Sequence, residues 1–121
     1  RNYLEPYLPG LHIIATLQSS ETALLCDHQD FRNLADTLID DLDLQKLGEV
    51  YHDFPDAGFT GVICLSESHI SVHTWPEYNR VNVDIYLSNY LRENDGTVRN
   101  IFEQIKAFFK AEVLSEQNIK R

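Results

Sequence analysis

The sequence predicts an α+β fold, a two-layer sandwich in which helices cover one face of a mostly antiparallel sheet. Three observations carry that reading. Residues 48–88 hold four short segments rich in β-branched and aromatic side chains, separated by clusters of turn formers. Segments with an apolar residue every three or four positions flank them on both sides. The chain has 121 residues, 43 % hydrophobic and 24 % charged, enough to bury one core, so residues 1–121 are expected to form a single domain.

Taken in order, residues 1–10 (RNYLEPYLPG) contain two prolines and a glycine and predict an irregular arm. Residues 11–17 (LHIIATL) form the first predicted strand, and residues 18–22 a polar connection. Residues 30–44 place Phe31, Leu34, Leu38 and Leu42 on one helical face, with Asp30 as the expected N-cap. The period then changes to that of strands. GEVYHDF is followed by the turn PDAG, then FTGVICLS, HISVHTW, the breaker Pro76-Glu77-Tyr78-Asn79, and RVNVDIYLS. Residues 94–110 return to helical spacing through Val98, Ile101, Ile105 and Phe108 or Phe109. Residues 111–114 read as a short edge strand, and the polar residues 115–121 as a frayed tail.

Val62 and Cys64 are apolar on one side of their strand, Ile63 and Leu65 on the other, and Ile70 and Val72 continue the pattern. The sheet face opposite the helices therefore needs a cover, and a partner subunit is the simplest one. Cys26 and Cys64 belong to no CxxC pattern and are expected to be reduced thiols, Cys64 as a small buried hydrophobe. No stretch has the length of a membrane span and residues 1–10 carry no apolar signal core, so a cytoplasmic protein without a membrane partner is expected. A net charge of −9 argues against nucleic acid, whose phosphates require a basic surface, and suits a small cationic substrate.

The chemistry concentrates between Ser66 and Tyr78, SESHISVHTWPEY. Read from the residues alone, Ser68 with His69 or His73 could be a nucleophile with its base. On a strand His69, Ser71 and His73 share one face, an unusually polar set. His12, His28 and His52 have no spacing that makes a metal site with that pair. His12 reads as structural, while His52, beside Phe54, either borders the site or lies at an edge.

The segment ESHISVHTWPEY resembles the processing-site segment of bacterial S-adenosylmethionine decarboxylases, whose pattern is close to ESHxxxHTWPE. The similarity extends more loosely from Gly10-Leu11-His12 through the second helix and includes VDIY at Val83 to Tyr86. The resemblance implies a zymogen that cleaves itself between Glu67 and Ser68 into residues 1–67 and 68–121. It then carries a pyruvoyl group derived from Ser68, uses no external cofactor and assembles as a homodimer of processed protomers. It implies that His73 is the base of the cleavage, with Thr60 standing where relatives have an assisting serine. The matured ketone would form a Schiff base with the α-amine of a small cationic α-amino acid, held by Phe54, Trp75 and Glu77, with His69 nearby. Ser88 stands where the family carries its proton-donating cysteine. Foremost among the implied activities is decarboxylation of S-adenosylmethionine for spermidine and polyamine biosynthesis. Decarboxylation of arginine or ornithine on the same scaffold, or ligand binding without catalysis, remain as alternatives.

Overall fold

A computed structural model of the chain describes residues 6–121, so the first half of the expected arm lies outside the described residues. Six strands form one sheet: β1 (Leu11–Gln18), β2 (Lys46–Asp53), β3 (Phe59–Leu65), β4 (Ser68–Trp75), β5 (Arg80–Leu87) and β6 (Glu112–Lys120). Their order is β2-β3-β4-β5-β1-β6, and every neighbouring pair is antiparallel. Three α-helices, α1 (Thr22–Cys26), α2 (Gln29–Asp41) and α3 (Asp95–Phe108), accompany the sheet, and a 3₁₀ turn spans Pro76–Tyr78. The strand-rich centre and its two flanking helices match the expected α+β sandwich.

Alternation along the strands sends one set of side chains inward. Ile13, Ala15 and Leu17 of β1, Val81, Val83 and Ile85 of β5, Ile70 and Val72 of β4, and Phe59 and Ile63 of β3 are buried. Against them lie Phe31, Ala35, Leu38 and Ile39 of α2 and Val98, Ile101, Phe102 and Ile105 of α3. The three fully buried rings of Phe31, Phe59 and Phe109 meet here, with Phe31 about equidistant from the other two at 5.9 and 6.0 Å. Each such side chain contributes roughly 1.5–3 kcal/mol by leaving water.

Four sequence expectations need correction. α2 stops at Asp41 rather than residue 44, because Asp43 turns left-handed (φ 56°) and leads the chain into β2. Its N-terminus is capped from Asp27, whose carboxylate accepts the Gln29 N–H at 2.7 Å, while Asp30 lies in the first turn. Residues 22–26 form α1, which the polar composition around them concealed. The expected frayed tail is a strand instead: β6 runs nine residues and pairs with β1 from Leu11 to Gln18. All nine are exposed, so no alternation of hydrophobicity marks them as a strand. Backbone pairing with β1 holds them there.

That C-terminal strand is also tied down by charge. The Asp95 carboxylate accepts the Leu11 N–H and the Asn89 Nδ2–H, each at 3.1 Å, and pairs with the Lys120 ammonium. Burial opposes ionisation of Asp95, but Lys120, Asn89 and the Leu11 amide outweigh it and hold the carboxyl below its ordinary range. A depressed folded-state value means stability that is present above the ordinary carboxylate range and lost as pH falls through the lower folded value. Asp95→Asn is therefore expected to flatten the acid limb of the stability profile below about pH 4. Urea unfolding of both proteins across that range checks it.

The outward face is read from the strand register. One cross-strand row runs Ile119, His12, Tyr86, His69 and Cys64; the next runs Gln117, Ile14, Asp84, Ser71, Val62 and Val50; a third runs Ser115, Thr16, Asn82, His73, Thr60 and His52. Cys64 is thus exposed on this face, contrary to the expected buried position, because alternation from buried Ile63 and Leu65 turns it outward. The face is polar at its centre and apolar at its borders, where Ile14, Val50, Val62 and Ile119 are exposed. Among the described residues no helix is long and apolar enough to cross a membrane.

Candidate active site

Glu67 and Ser68 occupy the tight connection between β3 and β4, where Leu65 pairs with Ser68. Ser68 has φ 139°, a value rare for any residue with a Cβ. Among the described residues, the other non-glycine residues with positive φ, Asp43, Asp56, Asn79 and Lys110, lie between 48° and 56°, the ordinary left-handed region. Conformations as unusual as that of Ser68 cost on the order of 1–3 kcal/mol and persist only where their surroundings impose them.

The surroundings are specific. The Ser88 backbone N–H donates to the Glu67 carbonyl oxygen at 2.8 Å, so the peptide carbonyl joining Glu67 to Ser68 already has a fixed hydrogen-bond donor. A preset N–H at that oxygen is the arrangement that stabilises an oxyanion when the carbonyl carbon is attacked. Ser88 enters this geometry through its main chain. The arm packs directly behind it: a Cβ on Gly10 would collide with the Leu87 carbonyl and lie 3.0 Å from Ser88 Cα.

A second group of site residues gathers at the other end of β4. Thr60 and His73 are directly opposite each other, and Thr60 Oγ1 and His73 Nδ1 are hydrogen-bonded. They line a pocket of about 370 Å³ together with Phe54, Trp75 and Glu77. The pocket floor is held by Thr74, whose hydroxyl donates to the Leu25 carbonyl at 2.6 Å and accepts the Phe59 N–H at 2.8 Å. A Cβ on Gly58 would come within 2.5 Å of that hydroxyl, so the turn closes only with glycine there. The rings of Phe54 and Trp75 are about half exposed, open to a partner or a ligand. His52, across the strand pair from Thr60, has its ring 4.7 Å from that of Phe54 and so borders this region.

The structure therefore brings Thr60, His73, Phe54, Trp75 and Glu77 together, and separately Glu67, Ser68 and Ser88. It does not bring the two groups together in one chain. Five residue steps of extended strand carry the chain from Ser68 to His73, roughly 17 Å at about 3.3 Å per residue.

His69 lies on the outward face and does not line the pocket. Its Nε2 is 3.5 Å from Asp84 Oδ1, which is also hydrogen-bonded to His12 Nε2. This His12-Asp84-His69 trio has a geometry that could hold a cation, although no sequence spacing announced it. The Arg121 guanidinium lies 3.3 Å from His12 Nδ1, and because it can only donate, it makes Nδ1 an acceptor and leaves the proton on Nε2, facing Asp84. A hydrogen-bonded trio fits better than a metal centre, and His12 is its buried member.

Sequence reasoning missed the groups that surround the Glu67 side chain. Asn94 Nδ2 donates to its carboxylate, and the Arg92 guanidinium approaches to 3.3 Å. Neither residue belongs to a motif, and only the folded loop from 88 to 95 carries them to Glu67.

Comparison with known proteins extends these observations. Residues 11–121 match the family model for S-adenosylmethionine decarboxylase. The chain is 42 % identical over 97 residues to the S-adenosylmethionine decarboxylase proenzyme of Archaeoglobus fulgidus, covering 80 % of this chain and 87 % of that one. To the proenzyme of the same name from Sulfurihydrogenibium it is 32 % identical over 110 residues, covering 91 % and 83 %. The crystal structure of the adenosylmethionine decarboxylase from Aquifex aeolicus superimposes with a TM-score of 0.82 at 28 % identity, covering 96 % of this chain and 92 % of that one.

Proposed function

The chain belongs to the S-adenosylmethionine decarboxylase family, and from that premise we propose that it is a self-processing, pyruvoyl-dependent carboxy-lyase that decarboxylates S-adenosylmethionine for polyamine biosynthesis. The observation that carries the proposal is the Glu67–Ser68 peptide, with its φ of 139° and its carbonyl held by the Ser88 N–H. The relatives named above are S-adenosylmethionine decarboxylases. None is an arginine or ornithine decarboxylase, and neither substrate is favoured by a feature of this site.

Maturation follows from the chain's own groups. Ser68 Oγ attacks the Glu67 carbonyl carbon, the oxyanion is met by the Ser88 N–H, and the amide bond breaks as the ester forms, freeing the Ser68 nitrogen. Loss of the Ser68 α-proton to a base then expels the Glu67 carboxylate and leaves a dehydroalanine at position 68. One water converts this to the ketone with release of ammonia. Residues 1–67 then end at Glu67, and residues 68–121 begin with the pyruvoyl group. Relief of the backbone strain at Ser68 favours the forward direction.

His73, oriented by Thr60, is the base in this scheme. Because it lies roughly 17 Å from Ser68 along its own strand, it acts on the Ser68 of a second copy. A homodimer also covers the apolar borders of the outward face, where Ile14, Val50, Val62 and Ile119 are exposed. In a two-fold assembly the pocket of one protomer meets the processed end of the other.

A ketone at position 68 supplies an electron sink for the electrons released as carbon dioxide leaves an α-amino acid. The pocket residues bind the rest of the substrate: the Phe54 and Trp75 rings offer their faces to the sulfonium, and Glu77 adds a negative charge. Both cysteines are unpaired and exposed, in keeping with the reducing cytoplasm as the proposed location.

The test is release of carbon dioxide from carboxyl-labelled S-adenosylmethionine, arginine and ornithine. Turnover of the first alone is expected. Trp75→Ala should raise KM for it roughly tenfold, the scale of one lost cation–π contact, with self-cleavage unchanged. Release from arginine or ornithine instead would overturn the substrate assignment.

A further inference from the structure

The residue preceding the cleavage bond is gripped by a loop that the chemistry above does not use. Glu67 is 7 % exposed although it lies in a turn between two strands, where a charged side chain normally reaches water. A buried carboxylate needs close partners. Among the described residues it has two, Asn94 through Nδ2 and Arg92 through its guanidinium at 3.3 and 3.5 Å.

Asn94 is itself fully buried and is fixed on several sides. Its Nδ2 donates also to the Ser88 carbonyl at 2.9 Å, and its backbone N–H donates to Asn89 Oδ1 at 2.7 Å. Asn89 in turn donates to the Pro9 carbonyl at 3.0 Å. Arg92 is anchored on the carbonyls of Asp43 at 2.7 Å and Leu42 at 3.3 Å. One side-chain amide thus holds both the Glu67 carboxylate and the Ser88 peptide, and the same Ser88 residue sends its N–H to the Glu67 carbonyl. Since both of its partners are acceptors, only the NH₂ end of Asn94 can face them, which leaves Asn94 Oδ1 buried without a hydrogen-bond partner among the described residues. A buried polar atom left unsatisfied in this way calls for an explanation in function or strain.

We propose that Asn94, supported by Arg92, is a positioning residue for self-cleavage. It fixes the Glu67 side chain directly and the Glu67 carbonyl through Ser88, so that the carbonyl carbon is presented to Ser68 Oγ while the peptide is held in its strained form. After cleavage the same contacts retain Glu67 as the new chain end. The inference rests on self-processing at Glu67–Ser68, and the experiment separates the two.

Precursor chains are made by cell-free synthesis and the fraction cleaved is followed by intact mass. The unmutated chain is the control for the reading beneath: if it never yields fragments ending at 67 and beginning at 68, self-processing and this inference fall together. Given that it cleaves, Asn94→Asp, which faces Glu67 with a second carboxylate, is expected to slow cleavage roughly 100-fold, and Asn94→Ala roughly tenfold, on the scale of a small misplacement of reacting groups. Adding Glu67→Gln to Asn94→Asp restores the donor–acceptor pair at the Glu67 side chain with the roles exchanged, but not the bond to the Ser88 carbonyl, and should recover part of the lost rate. Melting temperatures of the same variants in an uncleavable Ser68→Ala background separate positioning from folding. Cleavage of Asn94→Asp and Asn94→Ala at the unmutated rate overturns the proposal. So does a slow Asn94→Asp chain that the Glu67 exchange leaves no faster, since the contact with the Glu67 side chain would then carry no part of the effect.

Discussion

A Ser68→Ala chain stays whole, and its release of carbon dioxide from S-adenosylmethionine falls to background. Alanine keeps the Cβ and so the same backbone strain at φ 139°, and the Ser88 N–H still reaches the Glu67 carbonyl. What disappears is the one oxygen that can exchange the amide for an ester. Without that exchange no carboxylate is expelled, no ketone forms at position 68, and the electron sink is lost altogether rather than weakened. The effect is the full enzymatic acceleration, which for decarboxylations and other slow reactions amounts to many powers of ten. Intact mass and labelled-substrate turnover read the two halves of this outcome. Fragments from Ser68→Ala would mean that the chain is cut by some other route and that the strained peptide is not the processing site.

Mixing two inactive variants restores cleavage, and only of one of them. His73→Ala alone stays uncleaved because it lacks the base, and Ser68→Ala alone because it lacks the nucleophile. When the two are synthesised together, hybrid dimers contain one site with Ser68 from the first chain and His73 from the second. The His73→Ala chain is then cut and the Ser68→Ala chain is not. The argument is geometric. The two residues lie roughly 17 Å apart along β4, while a two-fold interface on the outward face brings the His73 end of one copy to the Ser68 end of the other. Thr60 should follow His73, since the hydroxyl and the ring are hydrogen-bonded across the β3–β4 pair. Failure of the mixture to cleave at all would place base and nucleophile in the same chain and require a rearrangement of β4 from the form described here.

The sequence by itself determined the repeating elements and the location of the chemistry. Alternation marked β3, β4 and β5, three- and four-residue spacing marked α2 and α3, and the run from Glu67 to Tyr78 marked the site; each is a local property that a short window of residues expresses. What is not periodic was not legible. β6 is exposed on both faces, and its strand geometry comes from hydrogen bonds to β1. Cys64 reads as buried because its neighbours are apolar, whereas register with Ile63 and Leu65 turns it out. Ser88 stands out in the sequence for its side chain, but its contact with the cleavage bond is made by a backbone N–H, which every residue except proline possesses. Asn94, Arg92 and Asp84 reach Glu67, His69 and His12 only through strand order and loop path. The separation of Ser68 from His73 belongs to the same class. Their spacing was visible from the start, but only the structure, by making that stretch one extended strand with Thr60 at its far end, decided that they cannot meet within one chain. Residue type and period are written locally, whereas contacts across strands depend on which segments pair and in what register, and tertiary packing alone selects those.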